Sequence, residues 1–142
     1  MKIEATSHLN SLQRAAYEPF QGILDGLSAK DHEAVRKHLL PGGMATLIRD
    51  GKVLQLDFEA FVARLPTTGV GDIEEVIHEA IVHVDENIAV IWAPYSVLVD
   101  GFLHHSGTNI ISVILHDGRW LISNVADNSR AAPVIPRAGA VI

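Results

Sequence analysis

The sequence predicts an α+β fold in which three N-terminal helices pack on a curved antiparallel sheet and form a half-open cone. The stretch from Val76 to Asn128 contains four runs rich in Val, Ile, Tyr and Trp, separated by Asp-Glu-Asn, Asp-Gly and His-Asp-Gly. Such runs between such turn residues are typical of consecutive β-hairpins. Before this stretch, apolar residues recur three or four positions apart, which indicates amphipathic helices.

Composition indicates one globular domain spanning residues 1–142. Hydrophobic residues make up 48% of the chain and charged residues 20%, which is ordinary for a globular protein. The net charge is −6 and the sequence has no basic stripe, so nucleic acid is not expected as a partner. Cysteine is absent, which excludes disulfides and thiolate chemistry. No apolar signal core and no apolar run of about 18 residues occurs, so we expect a cytoplasmic protein without membrane contact.

The first predicted helix runs from His8 to about Leu27, with Ser7 as its cap and residues 1–7 as a loose arm. Pro19 lies inside it and should kink the helix near residues 15–17 or split it in two. Tyr17 lies at that point. Its side chain either packs at the helix boundary or directs its hydroxyl into a pocket.

The second predicted helix covers about Lys30 to Leu40, after a capping-box-like Ser28–Asp31, and ends at Pro41-Gly42-Gly43. A small hairpin turns at Asp50-Gly51, and Asp57 caps a third short helix. Residues 66–72 form a loop. The tail, residues 129–142, is apolar enough that we expect it to be ordered.

Two-residue turns at Asp100-Gly101 and Asp117-Gly118 predict the register of the large sheet. The first turn places Val99 opposite Phe102, Ser96 opposite His105 and Trp92 opposite Asn109. The second places Leu115 opposite Trp120, Val113 opposite Ile122 and Ile111 opposite Asn124. One face then carries the candidate pocket residues His105, Trp92, Asn109, Trp120 and Asn124, whereas Asp127 shares the other face with His104. A β-bulge near Ser106-Gly107 would exchange the faces of everything beyond it.

Neither predicted face is plainly polar, although an antiparallel sheet usually leaves one face to water. We therefore expect helices to cover one face and the partner subunit of a homodimer to cover the other.

His105 is the leading candidate for chemistry. Among tryptophans and apolar side chains it would be partly desolvated and able to exchange a proton near pH 7. Alternatively, it is a structural histidine hydrogen-bonded to Ser96 or Asn109. The adjacent His104 should point to the opposite face, so the two should not act on one substrate.

Asp127 near the end of the last strand is either an acid that orients a histidine or a carboxylate paired with Arg130 or another subunit; we favour the ion pair. A metal site is not expected, because the eight histidines include no His-Glu-x-x-His spacing and no cysteine partner. No nucleophile elbow and no phosphate loop is present.

The segment DENIAVIWAPYSVLVDGFLHHSGTNIISVILHDGRWLISNVADNSR resembles the nuclear transport factor 2-like superfamily of the cystatin-like fold, and most closely its small bacterial SnoaL-like members. The shared pattern is Ala-Val-x-Trp-Ala-Pro-Tyr, Asp-Gly, His-x-Gly, a second Asp-Gly, Trp-x-Ile and a closing Asp-x-x-Arg. The resemblance covers nearly the whole chain. It implies a cone-shaped pocket on a sheet, in a superfamily that includes isomerases, dehydratases, cyclases, an epoxide hydrolase and non-catalytic binding domains.

One departure bears on the reaction. A ketosteroid isomerase-like member would carry a general-base carboxylate just after the second helix, whereas LLPGGMATLIRDG has no acid before Asp50. A dehydratase-like site pairs strand histidines with a helix tyrosine and a carboxylate. The corresponding residues here are His105, Asn109 and Tyr17, with Glu18 beside Tyr17.

Two functions follow. The first is a cofactor-independent enzyme that acts on a small apolar carbonyl compound, with His105 as general acid or base. Tyr17 and Asn109 would bind the carbonyl oxygen, and Trp92 and Trp120 would form the wall. The second is a non-catalytic binding or dimerisation module. A cavity near or above about 300 Å³ distinguishes the first from the second.

Overall fold

The computed structural model describes residues 5–69 and 71–133. The three helices within them are α1 (Ser11–Ala29), α2 (His32–Arg36) and α3 (Phe58–Ala63). The strands are β1 (Leu39–Arg49), β2 (Lys52–Asp57), β3 (Ile73–Ile77), β4 (Ile81–Asp85), β5 (Ile88–Val99), β6 (Phe102–His116), β7 (Arg119–Asp127) and β8 (Arg130–Ala131). The predicted α+β class is confirmed. Residues 1–4 of the predicted arm and 134–142 of the predicted tail lie outside the described residues.

Helix α1 begins at Ser11 because Asn10 and Gln13 form a complete capping box, each side chain bonding the other's backbone N–H. The predicted start at His8 with Ser7 as the cap is therefore wrong. Pro19 does not split the helix, which runs through it for 19 residues. Within the described residues, no helix is long and apolar enough to cross a bilayer.

Helix α2 is shorter than predicted. Lys30 adopts a left-handed conformation that ends α1, and Asp31, rather than Ser28, caps α2. The predicted extension to Leu40 is wrong because Leu39 already pairs with Ile122 of β7. Tertiary β-pairing thus outweighs the local helical pattern. The predicted Asp57 cap of α3 is confirmed by its hydrogen bond from the Ala60 N–H, at 2.8 Å.

The strands form one mixed sheet in the order β2-β1-β7-β6-β5-β3, with β4 also on β5 and β8 also on β6. The prediction of a wholly antiparallel sheet is wrong at one pair, since β1 runs parallel to β7. The predicted turns at Asp50-Gly51, Asp100-Gly101 and Asp117-Gly118 are confirmed, and both residues of each have positive φ. Positive φ at both positions is what a type I′ hairpin turn requires.

Two bulges change the predicted register. In β6, Leu103 pairs with Leu98 and His105 with Val97, so His104 is an extra residue. In β7, Ile122 pairs with Val113 and Asn124 with Ser112, so Ser123 is extra. The bulge considered near Ser106-Gly107 therefore lies two residues earlier.

As a result, the predicted pairs Ser96–His105, Trp92–Asn109 and Ile111–Asn124 are wrong, whereas Val99–Phe102, Leu115–Trp120 and Val113–Ile122 are confirmed. Every confirmed pair lies between its turn and the nearest bulge. A two-residue turn thus defines the register only as far as the first extra residue.

The sheet has a buried inner face and an apolar outer face. The inner face packs against α1 and α3 and carries alternate residues of β5 and β6, among them Ile91, Ile111 and Val113, each at most 1% exposed. The outer face carries exposed Ile88, Val90, Trp92 and Ile110. The expected helical cover on one face is therefore present, and the other face is apolar as predicted.

A substitution at Gly43 tests how tightly β1 is packed. A Cβ there would lie 2.5 Å from the Ser123 carbonyl oxygen and closer still to the Phe58 ring. We expect Gly43→Ala to lower the free energy of unfolding by about 2–3 kcal/mol, because backbone must shift to admit the methyl group. Urea unfolding measures the change. Gly118→Ala, in an open turn, should cost about 1 kcal/mol from φ strain alone; an equal loss in both variants would contradict the close packing.

Candidate functional site

A cavity of about 510 Å³ opens between the inner face of the sheet and the helices. It exceeds the lower limit of about 300 Å³ that distinguishes a ligand site from a filled cone. The cavity is bounded by the ends of α1 and β1, by α3 and the loop after it, and by β3, β5, β6 and β8. Its lining is Leu27, Leu47, Arg49, Asp50, Phe61, Arg64, Leu65, Pro66, Ile73, Val97, Val99, His104, His105, Ser129 and Ala131.

Both adjacent histidines face this cavity. The bulge at His104 breaks the alternation of side chains, so His104 and His105 both lie in the lining, with their Nδ1 atoms 2.9 Å apart. The expectation that they point to opposite faces is wrong for this reason. At that distance one imidazole donates its Nδ1–H to the Nδ1 atom of the other.

His105 is half-buried and its ring packs edge-on against Tyr95, with 6.1 Å between ring centroids. Burial lowers the pKa of His105, the neighbouring His104 lowers it further, and the carboxylate of Asp127 opposes them. The imidazole is therefore neutral at pH 7 and able to accept a proton. Neither expected partner bonds to it, since Ser96 pairs with His78 and Asn109 with Glu75.

Asp127 contacts one residue of the cavity lining, Arg49, and one buried residue, Tyr95. Its Oδ1 accepts a 2.6 Å hydrogen bond from the Tyr95 hydroxyl, and its Oδ2 lies 3.2 Å from Nη2 of Arg49. The ion-pair interpretation holds, although the partner is Arg49 rather than the expected Arg130. The two bulges place Asp127 opposite Asn109 on the inner face, so its predicted separation from His105 is wrong.

Glu75 is a functional candidate that the sequence analysis missed. It pairs with Val97 across β3–β5, and Val97 pairs with His105 across β5–β6, so the three residues form one row on the inner face. Its Oε2 accepts a 2.9 Å hydrogen bond from the buried Asn109 amide. Burial raises the pKa of Glu75 to about 7; the Asn109 bond opposes this rise and Asp127 adds to it.

The segment Ile73-Glu-Glu-Val-Ile77 gave only one signal for this role, an acidic residue within an apolar strand. Glu74 and Glu75 are equivalent in such a pattern. Only the pairing of β3 with β5 shows which of the two points inward.

Tyr17 is buried, and its ring packs edge-on against Phe20 at 5.5 Å. Burial raises the pKa of its hydroxyl, and the charge of Glu75 raises it further, so the hydroxyl stays protonated. The charge of Glu75 thus acts on Tyr17, and neither Tyr17 nor the Glu75–Asn109 pair is among the residues that line the cavity. Glu18 is exposed and does not belong to this group.

Three other predicted residues lie elsewhere. Trp92 is 47% exposed on the outer face, and Asn124 is exposed opposite Ser112, so their predicted face is wrong. Trp120 is partly buried and packs against the main core opposite Leu115, at the end of β6 remote from His104. Aliphatic side chains and Phe61, rather than tryptophans, therefore form the apolar wall. In the described part of the chain, no three His, Asp or Glu side chains converge as metal ligands.

Solved structures share this architecture. A nuclear transport factor 2-like protein of unknown function from Silicibacter pomeroyi DSS-3 aligns with a TM-score of 0.67 at 18% identity, over 90% of this chain and 100% of its own. A cystatin-like-fold protein of unknown function from Nostoc punctiforme aligns at 0.69 and 16%, over 86% and 94%. A candidate dehydratase of the nuclear transport factor 2-like family from Streptomyces avermitilis aligns at 0.69 and 12%, over 86% and 98%.

These likenesses show that the chain has the nuclear transport factor 2-like, cystatin-like fold that its residue pattern resembles. At such identities they show the fold alone. No protein-family model and no curated protein matches the sequence.

Glu75 should make stability depend on pH. Its pKa rises from 4.5 to about 7 on folding, so the native state binds this proton more tightly than the unfolded state. Stability is then lost as pH rises from about 4.5 to 7, by up to about 3 kcal/mol. Glu75→Gln keeps an acceptor for Asn109 without the charge. We expect this variant to exceed the wild type in stability above about pH 8 and to lose that advantage below about pH 4.5.

Urea unfolding across that pH range measures the effect. Glu74→Gln, at the exposed neighbouring position, is the matched control and should change stability by less than about 0.5 kcal/mol throughout. A pH-independent difference between Glu75→Gln and the wild type would show that Glu75 is ordinarily ionised.

Proposed function

We propose that this chain of nuclear transport factor 2-like fold binds a small, mostly apolar carbonyl compound and performs acid/base chemistry on it, as a SnoaL-like dehydratase, isomerase or cyclase. The observation that carries this proposal is a neutral imidazole, that of His105, in the wall of a 510 Å³ cavity. A ligand of drug-like size fits a volume in this range. The likeness to a candidate dehydratase agrees with the proposal.

His105 is the proton carrier in this proposal. A neutral imidazole accepts a proton from the carbon beside a carbonyl group, and the resulting imidazolium returns it at another atom. Asp127 favours the imidazolium electrostatically, since it raises the pKa of His105. The Asp127 carboxylate is held in place by its bonds with Tyr95 and Arg49.

The oxygen of the carbonyl compound needs a donor as charge develops on it. Tyr17 and Asn109, the expected donors, are not among the lining residues, and Asn109 already donates to Glu75. The donors in the lining itself include the guanidinium groups of Arg49 and Arg64 and the imidazole of His104. We assign oxygen binding to His104, which contacts His105, and to Arg49, whose charge acts on His105, with Tyr17, Asn109 and Asp127 as positioning residues. This chemistry requires no cofactor.

NMR titration of the histidine ring signals tests the role of His105. In the free protein we expect His105 to titrate below 6.5, because burial and His104 disfavour its charged form. Methyl hexyl ketone serves as a simple apolar carbonyl probe and should shift both the signal and the titration midpoint. His116, an exposed histidine at the other end of β6, is the control and should not respond.

If His105 titrates as a free histidine both with and without the ketone, it has no role as the acid or base. If the ketone shifts no cavity residue at all, the proposal of a carbonyl-binding cavity fails as well.

The outer face supports a second candidate function, that of a non-catalytic binding or dimerisation module. Ile81, Trp92 and Ile110 are paired across β4, β5 and β6, so they form one continuous apolar row. Each is more than 40% exposed in the single chain. An apolar row of this kind on a sheet is typical of a protein–protein interface. We propose that a second copy of the chain covers it, giving a homodimer in either function.

Light scattering tests the homodimer. Trp92 lies in the centre of the row, so Trp92→Glu should convert the dimer to a monomer by burying an unpaired charge in the interface. Leu12→Glu is the control, since Leu12 is 69% exposed on α1, away from the sheet. A wild-type monomer at micromolar concentration would contradict the proposed assembly, as would an unchanged dimer in Trp92→Glu.

A further inference from the structure

We infer that the cavity selects an anionic ligand, namely a carboxylate joined to an apolar chain, with Arg64 at the carboxylate end. The inference rests on the proposed function and narrows its substrate class to a carbonyl compound that also carries a carboxylate. It follows from three features of the lining: the sign of its charge, the availability of the Arg64 guanidinium, and the apolar side chains that form most of the rest.

The charge of the lining is opposite to that of the chain. The whole protein has a net charge of −6. Yet the charged side chains among the described residues that line the cavity are Arg49 and Arg64 against the single carboxylate of Asp50, with the imidazole of His105 neutral at pH 7. A concave site with low-dielectric walls and an excess of basic groups attracts anions.

The two arginines differ in what they already bind. The guanidinium of Arg49 contacts the Asp127 carboxylate and donates to the Ile48 carbonyl oxygen. Arg64 caps the end of α3 through its backbone, its side chain is exposed, and no described side chain pairs with its guanidinium. A guanidinium with its fork of donors free is suited to a carboxylate, which it binds through two parallel hydrogen bonds.

The rest of the lining excludes a purely polar anion. The wall is built by apolar side chains from α1, β1, α3, the loop after α3, β3 and β5, namely Leu27, Leu47, Phe61, Leu65, Ile73 and Val97. Burying such surface together with a ligand chain is favourable by about 25 cal/mol per Å². A small inorganic anion would leave this surface wet. A chain that is apolar along its length and charged at one end satisfies both parts of the lining.

Isothermal titration calorimetry with two probes of equal carbon number tests the inference. Octanoate carries the proposed charge, and methyl hexyl ketone carries only the carbonyl group. We expect octanoate to bind more tightly, and to lose that preference at high salt, where exposed charge pairs are screened. Histidine NMR signals show whether each probe reaches His104 and His105.

Three variants locate the charge effect. Arg64→Gln should lower the affinity for octanoate by about three- to tenfold, which is the range for a partly exposed charge-assisted hydrogen bond. The affinity for the ketone should not change. Asp50→Asn should strengthen octanoate by a few fold, because it removes the opposing carboxylate, and Asn tolerates the positive φ of that turn. Arg119→Gln removes the same charge at the far end of β6–β7 and should alter neither affinity.

The possible outcomes distinguish a failure of the anion preference from a failure of the proposed function. Equal binding of the two probes, or tighter binding of the ketone, overturns the anion preference and leaves the carbonyl-binding cavity intact. An unchanged octanoate affinity in Arg64→Gln overturns the assignment to Arg64. Failure of both probes to bind, with no shift of His105, overturns the proposed function itself.

Discussion

The extra residue at His104 is the feature on which the rest of the site depends. A strand presents alternate side chains to its two faces, so one inserted residue reverses every assignment beyond it. With His104 as the extra residue, His105, Asn109 and Ile111 face the helices, and Ile110 faces outward. The same bulge also brings His104 to the cavity, where a regular strand would have turned it away.

Behind the lining, the protein contains two inner-face carboxylates that are compensated in different ways. Asp127 receives the Tyr95 hydroxyl and the Arg49 guanidinium, which together replace the water it has lost. Glu75 accepts a hydrogen bond from the Asn109 amide, and burial raises its pKa, which favours the protonated carboxyl group. Burial of a carboxylate without a cation is costly, and such groups concentrate at functional sites. The network therefore adds a proton-binding group on the same row as His105.

One sheet serves two surfaces in this molecule. Its inner face is packed over most of its length by α1, and beyond the end of that helix the cavity begins, bounded by Leu27, α3 and the loop after it. Its outer face is apolar across three adjacent strands, where side chains such as Trp92 and Ile110 stand side by side. The cavity is lined by other residues of β5 and β6, among them Val97 and His105. The cavity and the outer row are thus structurally separable.

Local chemistry in the sequence determined the elements and the turns. Asp-Gly pairs accept positive φ at little cost, so the hairpins at Asp50, Asp100 and Asp117 could be predicted from neighbouring residues alone, as could the Asp57 cap. The resemblance of the β5–β7 pattern to the nuclear transport factor 2-like superfamily likewise predicted the fold. His105, Asn109 and Asp127 could be predicted as candidates because a polar side chain within an apolar strand is costly to bury unless it has a bonding partner or a function.

Tertiary structure alone decided how those residues meet. A bulge costs little locally and leaves no residue signature in LHHSG or LISNV, so the faces of Trp92, Asn124 and Asp127 could not be deduced from the chain. The parallel pairing of β1 with β7 joins segments far apart in sequence, and it shortened α2 against the local helical preference. The inward turn of Glu75 rather than Glu74 depends on the register of β3 on β5. Each of these is a long-range backbone pairing, whose energy comes from contacts that no short stretch of sequence contains.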